Sequence, residues 1–157
     1  MMSGSKAPDL DAGLPNQGIP AIIIAKESTA STGGKTDMYT FDSRIRYSEI
    51  DRSGRLSIPA VVDYFQDCSA FQSEELGVGV EYLANKKRTW ILNSWQIVLE
   101  RRPEECEKIT VGTWGSGFDK FHATRNFIMK TTQGERLAYA NSIWVYINTE
   151  TGMPVRP

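Results

Sequence analysis

Cysteine and histidine are scarce in this chain, and their scarcity removes several kinds of chemistry. Of 157 residues, two are cysteine and one is histidine. Cys68 and Cys106 make no disulfide framework, so a reducing, intracellular setting is the expectation. One histidine and two distant cysteines cannot build a metal site, and no metal is expected. Charge of one sign is lacking too: the net charge is −1, which points to neither nucleic acid nor an anionic membrane as a partner. No run approaches the ~18 apolar residues of a transmembrane helix. The apolar stretch Ile19 to Ala25 is short and lacks the basic region that precedes a secretory signal's core. A phosphate loop is missing as well, since Gly112 to Gly117 is not followed by a helix. The expectation is a soluble, cytoplasmic protein.

What is present is enough for one packed domain. Apolar residues make up 40%, with six Phe, six Tyr and four Trp, and the length suits a single domain or half of a larger assembly. The chain is organised around Arg46 to Gly77, which opens as a strand, breaks at Asp51-Arg52-Ser53-Gly54 and becomes one long helix. Ser57 can cap that helix with its hydroxyl. Pro59 sits in the first turn, where a missing amide hydrogen costs nothing, and Gly77 supplies a left-handed cap. At 100° per residue, Ile58, Val62, Phe65, Ser69, Gln72 and Leu76 share a stripe flanked by Val61 and Cys68. Asp63, Asp67 and Glu74 lie opposite. Such a helix needs a surface to cover its apolar stripe.

Strands supply that surface. Residues 1–36 read as a leader without regular structure; as an alternative, Ile22 to Ile24 adds an edge strand. Tyr39 to Ile50 suits a first strand, with Tyr and Phe alternating. After the helix come a Gly77-Val78-Gly79 turn and a short helix over Glu81 to Lys87. Four strand-like segments follow: Arg88–Leu99, Lys108–Ser116, Ala123–Thr131 and Leu137–Asn148. The last carries apolar side chains on both faces, so it should be buried on both sides or lie at an interface. The fold class is α+β over residues 37–157, a long helix wrapped by a curved antiparallel sheet of about five strands. That is the hotdog arrangement. Its sheet covers one side of the helix only, so such domains pair, and their sites form where two helices meet.

Four ordered segments carry a family resemblance: RYSEIDRSGRLSIPAVVDYFQD; W-x-L-x-x-W-Q-I-V-L-x-R-x-P from Trp90; I-T-V-G-T-W-x-S-G from Ile109; and A-x-S-I-W-V-x-I-N-x-E-T-G-x-P-V-R from Ala140. Together they resemble the acyl-acyl-carrier-protein (acyl-ACP) thioesterases across residues 38 to 157. The resemblance implies two hotdog repeats in tandem. The first shapes the acyl pocket, and the second carries an Asp, Asn and His in a D-x-N-x-H loop with a later Glu. This chain matches the first repeat and reaches Pro154-Val155-Arg156-Pro157, where the linker between repeats is expected to begin. No N-x-H occurs in it.

Beside that resemblance, each candidate residue has an ordinary structural role. Asp51 precedes the helix N-terminus, where the dipole favours an anion; in hotdog thioesterases an acidic residue there acts as base or nucleophile while helix amides polarise the carbonyl. The alternative is a turn aspartate bonded to its own loop, and Glu49 shares the ambiguity. Gln66 either orients substrate or water, or is a partly buried amide bonded to backbone. Asp67 reads as a solvated carboxylate. His122, read as lying in a turn, has no partner placed by a motif. Cys68 reads as a small buried hydrophobe, since no nearby base would activate its thiol.

The apolar lining is the more informative feature. Val61, Val62, Phe65 and Cys68 on the helix, with Trp90, Leu92, Trp95 and Ile97 on the next strand, could wall a tunnel for an acyl chain, with Tyr64 beside them. The same residues are also expected as core. The resemblance implies an acyl-ACP thioesterase repeat releasing free fatty acid from acyl-ACP or acyl-CoA. No cofactor is expected, because a thioester needs only an oxyanion site and an activated water. One alternative is a single-repeat homodimeric acyl-CoA thioesterase using Asp51. Another is a non-catalytic acyl-binding or dimerising hotdog. A dehydratase of this fold is disfavoured, since no histidine lies near the helix.

Overall fold

The computed structural model describes residues 38–157. The expected leader, and with it the alternative strand at Ile22 to Ile24, lies outside them. Among the described residues the order is β1 (Tyr39–Arg44), α1 (Ile58–Glu75), α2 (Val80–Asn85), β2 (Arg88–Leu99), β3 (Lys108–Asp119), β4 (His122–Thr131) and β5 (Arg136–Asn148).

The long helix begins and ends where its caps dictate. The Ser57 hydroxyl accepts the Ala60 amide at 3.3 Å, Pro59 follows in the first turn, and Gly77 takes φ +71° just past the end, a conformation that costs glycine little. The first strand is shorter than the sequence pattern suggests. It stops at Arg44, and Tyr47–Glu49 form a 3-10 turn. The cause is local: the Glu49 carboxylate accepts the Arg46 amide at 2.8 Å and the Arg46 side chain at 2.7 Å, which folds the backbone back. His122 opens β4, paired with Asp119, rather than sitting in the turn; the short helix spans Val80–Asn85.

The five strands form one antiparallel sheet in the order β1-β3-β4-β5-β2. Alternation then sorts the side chains. Phe41, Val111, Phe127, Ala140 and Trp95 face α1, because the strand register sets them on one side. The helix lies over β3 and β1. Its buried residues are Ala60, Val61, Tyr64, Phe65 and Cys68, so the apolar stripe is rotated from the one expected: Ile58 is 56% exposed, whereas Tyr64 is 4% exposed. Tyr64 wins the inward place because its hydroxyl finds acceptors, donating to Glu49 Oε2 at 2.8 Å. The opposite stripe of Asp63, Asp67 and Glu74 is exposed as expected. On β5 the Ala138–Tyr146 face is buried. Among the residues that alternate with these, Leu137 is fully buried, Ile143, Val145 and Ile147 are half-buried and Tyr139 is 37% exposed, so the second face is covered only in part.

Candidate functional site

Three places hold the candidate side chains: the loop before α1, the core under α1, and a cleft beside its second half.

The loop is a self-contained polar knot. One carboxylate oxygen of Asp51 accepts the Ser53 amide at 2.8 Å and the Ser53 hydroxyl at 2.6 Å. The other pairs with the Arg102 guanidinium, which also donates to the Leu56 carbonyl at 3.3 Å. Gly54 at φ +72° lets the turn close. The Ser53 hydroxyl bond first, and then Arg102, hold the Asp51 carboxyl well below the usual carboxylate range. A carboxylate so bonded is a weak base. The adjoining helix start has few amides to spare: Pro59 has none, and Ala60's is taken by Ser57. Glu49 is engaged too. Burial pushes its carboxyl up, but the bonds from Arg46 and Tyr64 outweigh that and leave it lowered.

The core gathers Val61, Tyr64, Phe65 and Cys68, with Trp95 partly buried against them. Phe65 stacks on Phe127 with centroids 5.2 Å apart, and Trp95 lies 5.9 Å from Phe65. The sequence-predicted tail-contact residues are therefore brought together. In the chain as it stands Trp95 has the exposure to meet a ligand, while the other four are packed. Val62 and Gln66 are half-buried, and the Gln66 amide makes no hydrogen bond among the described residues. His122 is exposed on the opposite face of the sheet, across from Val145.

Cys68 is fully buried, its thiol donating weakly to the Val111 carbonyl at 3.6 Å. Burial pushes that thiol up from 9.0 to about 12, which makes it inert rather than nucleophilic. Two outcomes are expected. In the native protein a thiol reagent should modify exposed Cys106 alone, and Cys68 only after denaturation; native labelling of both would contradict this burial. Stability should also fall as pH rises from 9 toward 12, because over that window the unfolded chain has lost the Cys68 proton that the folded chain still holds. Denaturant melts across that range check the sign.

The cleft was only half visible in the sequence. Val78, Leu83, Trp90, Phe118 and Trp144 make its apolar wall, and Ser69, Ser73 and Arg125 a polar one. Its apolar side is pre-organised. The Trp144 indole N–H donates to Ser142 Oγ at 2.7 Å, leaving the ring free to act as a wall, and Trp90 sits 4.7 Å from Tyr146. On the polar side, Arg125 Nη1 donates to Gln72 Oε1 at 2.6 Å and to Thr113 Oγ1 at 3.1 Å. Trp90 stood among the sequence candidates for the acyl wall, and Ser69 and Gln72 were placed only on the stripe of α1. Arg125 was in neither group, although its alternation with Phe127 and Met129 along β4 was a readable sign that it points inward.

This geometry is a helix-covered sheet with a mainly apolar cleft and no clustered acid, base and nucleophile among the described residues. Residues 36–156 match the family model of the acyl-ACP thioesterase N-terminal domain. The chain belongs to the acyl-ACP thioesterase family. Among its acyl-ACP thioesterase relatives, a palmitoyl-acyl carrier protein thioesterase, chloroplastic, from Gossypium hirsutum is 25% identical over 114 residues, covering 68% of this chain and 28% of that protein. Two solved structures share the hotdog fold. One, from Lactobacillus plantarum and assigned as an oleoyl thioesterase, has TM-score 0.75 and 31% identity, covering 76% of this chain and 47% of that one. The other, an acyl-ACP thioesterase from Bacteroides thetaiotaomicron, has TM-score 0.72 and 28% identity, covering 76% and 49%. The chain thus spans about a quarter of the plant relative's length and about half of either bacterial structure's.

Proposed function

We propose that this chain is the N-terminal, acyl-specificity repeat of an acyl-ACP thioesterase, an enzyme that hydrolyses a fatty acyl thioester to the free acid. The match of residues 36–156 to the family's N-terminal domain carries the proposal. The apolar lining of the cleft supports it, because a fatty acyl tail is held chiefly by apolar contacts. The thioester is already activated, so the reaction needs a water-activating group and oxyanion donors rather than a cofactor. In this division of labour a second hotdog repeat supplies those groups. This chain holds the tail through the cleft, while Trp95, Val61, Tyr64, Phe65 and Cys68, gathered in the core under α1, bound how far it reaches. The bonds that tie up Asp51 favour this over the single-repeat enzyme that would use Asp51 as its base. Gln66, half-buried on α1, is proposed to orient substrate or water where a partner repeat's loop meets the helix. The substrate is acyl-ACP, with acyl-CoA as the simpler analogue, and the proposed compartment is the cytoplasm. Among the described residues no helix is long and apolar enough to cross a membrane.

Binding tests the proposal directly. The chain should bind a neutral, non-hydrolysable S-alkyl N-acetylcysteamine thioether saturably, with a change in tryptophan fluorescence because Trp90 and Trp144 line the cleft. No saturable binding at any chain length would remove the proposal.

Pairing follows from the same reading. β2 is an edge strand, and Ile91 and Leu92, on its opposite faces, are 48% and 38% exposed. An open edge with apolar side chains is a template for another strand. Expressed alone, the chain should form a homodimer through this edge, or aggregate. A monodisperse monomer by light scattering at micromolar concentration would count against it.

A further inference from the structure

The cleft is smaller than the tail it is proposed to hold. Its volume is about 90 Å³, whereas ligand pockets run to roughly 300–1,000 Å³. A stub of a few carbons fits that room and a long acyl chain does not. Some part of the wall has to give way, and the parts differ in how firmly they are held. Trp90, Phe118, Ala123, Arg125 and Trp144 stand on strands of one hydrogen-bonded sheet, so none shifts far without breaking backbone pairs. Ser69 and Ser73 belong to α1, whose buried side chains anchor it to that sheet. Tyr82 and Leu83 are carried by α2.

Helix α2 is the loosely held part. It has six residues, none of them fully buried, and Val80 is 74% exposed. Segments with so little buried surface open first. The chain is pinned on either side of it. The Val78 amide donates to the Ser73 carbonyl at 2.9 Å, and the Lys87 carbonyl accepts the Thr149 amide at 3.0 Å. Between those pins α2 hangs on Gly79 at one end and, at the other, on Lys87 in the left-handed region, φ +55°. One bond ties its first turn back to α1: the exposed Glu74 carboxylate accepts the Val80 amide at 2.9 Å. Glycine leaves room for that bond, since a β-carbon at residue 79 would collide with the Glu74 carboxylate. Beside Trp90, with ring centroids 4.7 Å apart, Tyr146 is fully buried, and its hydroxyl has no hydrogen-bond partner among the described residues. Tyr82 of α2 acts on that hydroxyl electrostatically. Closure over such a group is disfavoured.

We infer that α2 is a hinged lid on the cleft, latched by Glu74, and that acyl chains longer than a few carbons enter only when it swings away. The inference rests on the acyl-binding reading above and makes Glu74 and Gly79 determinants of which chain lengths are admitted and how fast. Lid opening then precedes the seating of a long tail, while a short one binds the closed cleft.

The test uses the full 157-residue chain, the S-butyl and S-decyl thioethers of N-acetylcysteamine, and stopped-flow tryptophan fluorescence. For the S-decyl probe the observed rate should level off with rising concentration, because opening limits it. For the S-butyl probe it should stay linear. Glu74→Ala should raise the S-decyl plateau roughly 2- to 10-fold, the worth of one hydrogen bond. Hydrogen exchange of the α2 amides, measured without probe, should quicken by the same factor while the buried turns of α1 keep their rates. Gly79→Ala, which displaces the carboxylate without removing its charge, should act like Glu74→Ala, and Glu74→Gln should have a smaller effect. An S-decyl rate that stays linear, or a plateau and α2 exchange unmoved by both alanine variants, would overturn the lid and leave the acyl-binding proposal standing. Failure of both probes to bind would overturn both.

Discussion

Phe65→Ala is expected to remove much of the protein's stability, whereas Ile58→Ala on the same helix should leave it nearly unchanged. Phe65 is fully buried and stacks with Phe127 and tilts against Trp95, at 5.2 and 5.9 Å. Truncating such a ring loses its transfer free energy and leaves a cavity, typically about 3–5 kcal/mol. Against a whole-domain stability of about 5–15 kcal/mol, that loss should lower the melting temperature by roughly 10 °C. Ile58 has a similar apolar side chain but is 56% exposed, and surface substitutions usually stay within about 0.5 kcal/mol. Urea titration of both variants checks the phase of α1. An Ile58 loss as large as the Phe65 loss would mean that the helix presents another face to the sheet.

The second large effect is a separation of binding from turnover. If Asp51 were the general base, Asp51→Asn would cost about 10²–10⁴ in rate. The bonds from Ser53 and Arg102 keep its carboxyl low and anchored, so its role here is to close the loop before α1. In a two-repeat thioesterase containing this chain, Asp51→Asn and His122→Ala should each leave turnover within a few-fold. Bulkier side chains at Val61, or changes at Trp95, should instead shift the preferred acyl length. A drop on the order of 10³ for either polar variant would identify an essential group and reverse the assignment.

Much of this was legible in the residues, for reasons that differ from element to element. Strand β2 was readable at both ends because Lys87 and the Arg101-Arg102-Pro103 break bound a run of strand formers. The ends of α1 were readable because Ser57 and Gly77 act locally. The phase of α1 was not. Choosing Tyr64 over Ile58 depends on a hydroxyl bond to Glu49, fifteen residues away, which exists only once the loop has folded. The end of β1 was missed for a related reason, since the Arg46–Glu49 bonds compete with strand continuation. At the site, Trp90 was legible in the sequence but Val78, Leu83, Phe118 and Trp144 were not, nor were the partners of the charged residues. Asp51 meets Arg102, and Gln72 meets Arg125, across more than fifty residues of chain. No spacing rule predicts such pairs.

The account's central claim, an acyl-binding half that does no hydrolysis alone, is tested most directly by the turnover of acyl-ACP by the isolated 157-residue chain. Free fatty acid should form no faster than in buffer, while the same preparation binds the acyl thioether saturably. Clear hydrolysis by this chain, lost in Asp51→Asn, would contradict the account and establish the single-repeat enzyme instead.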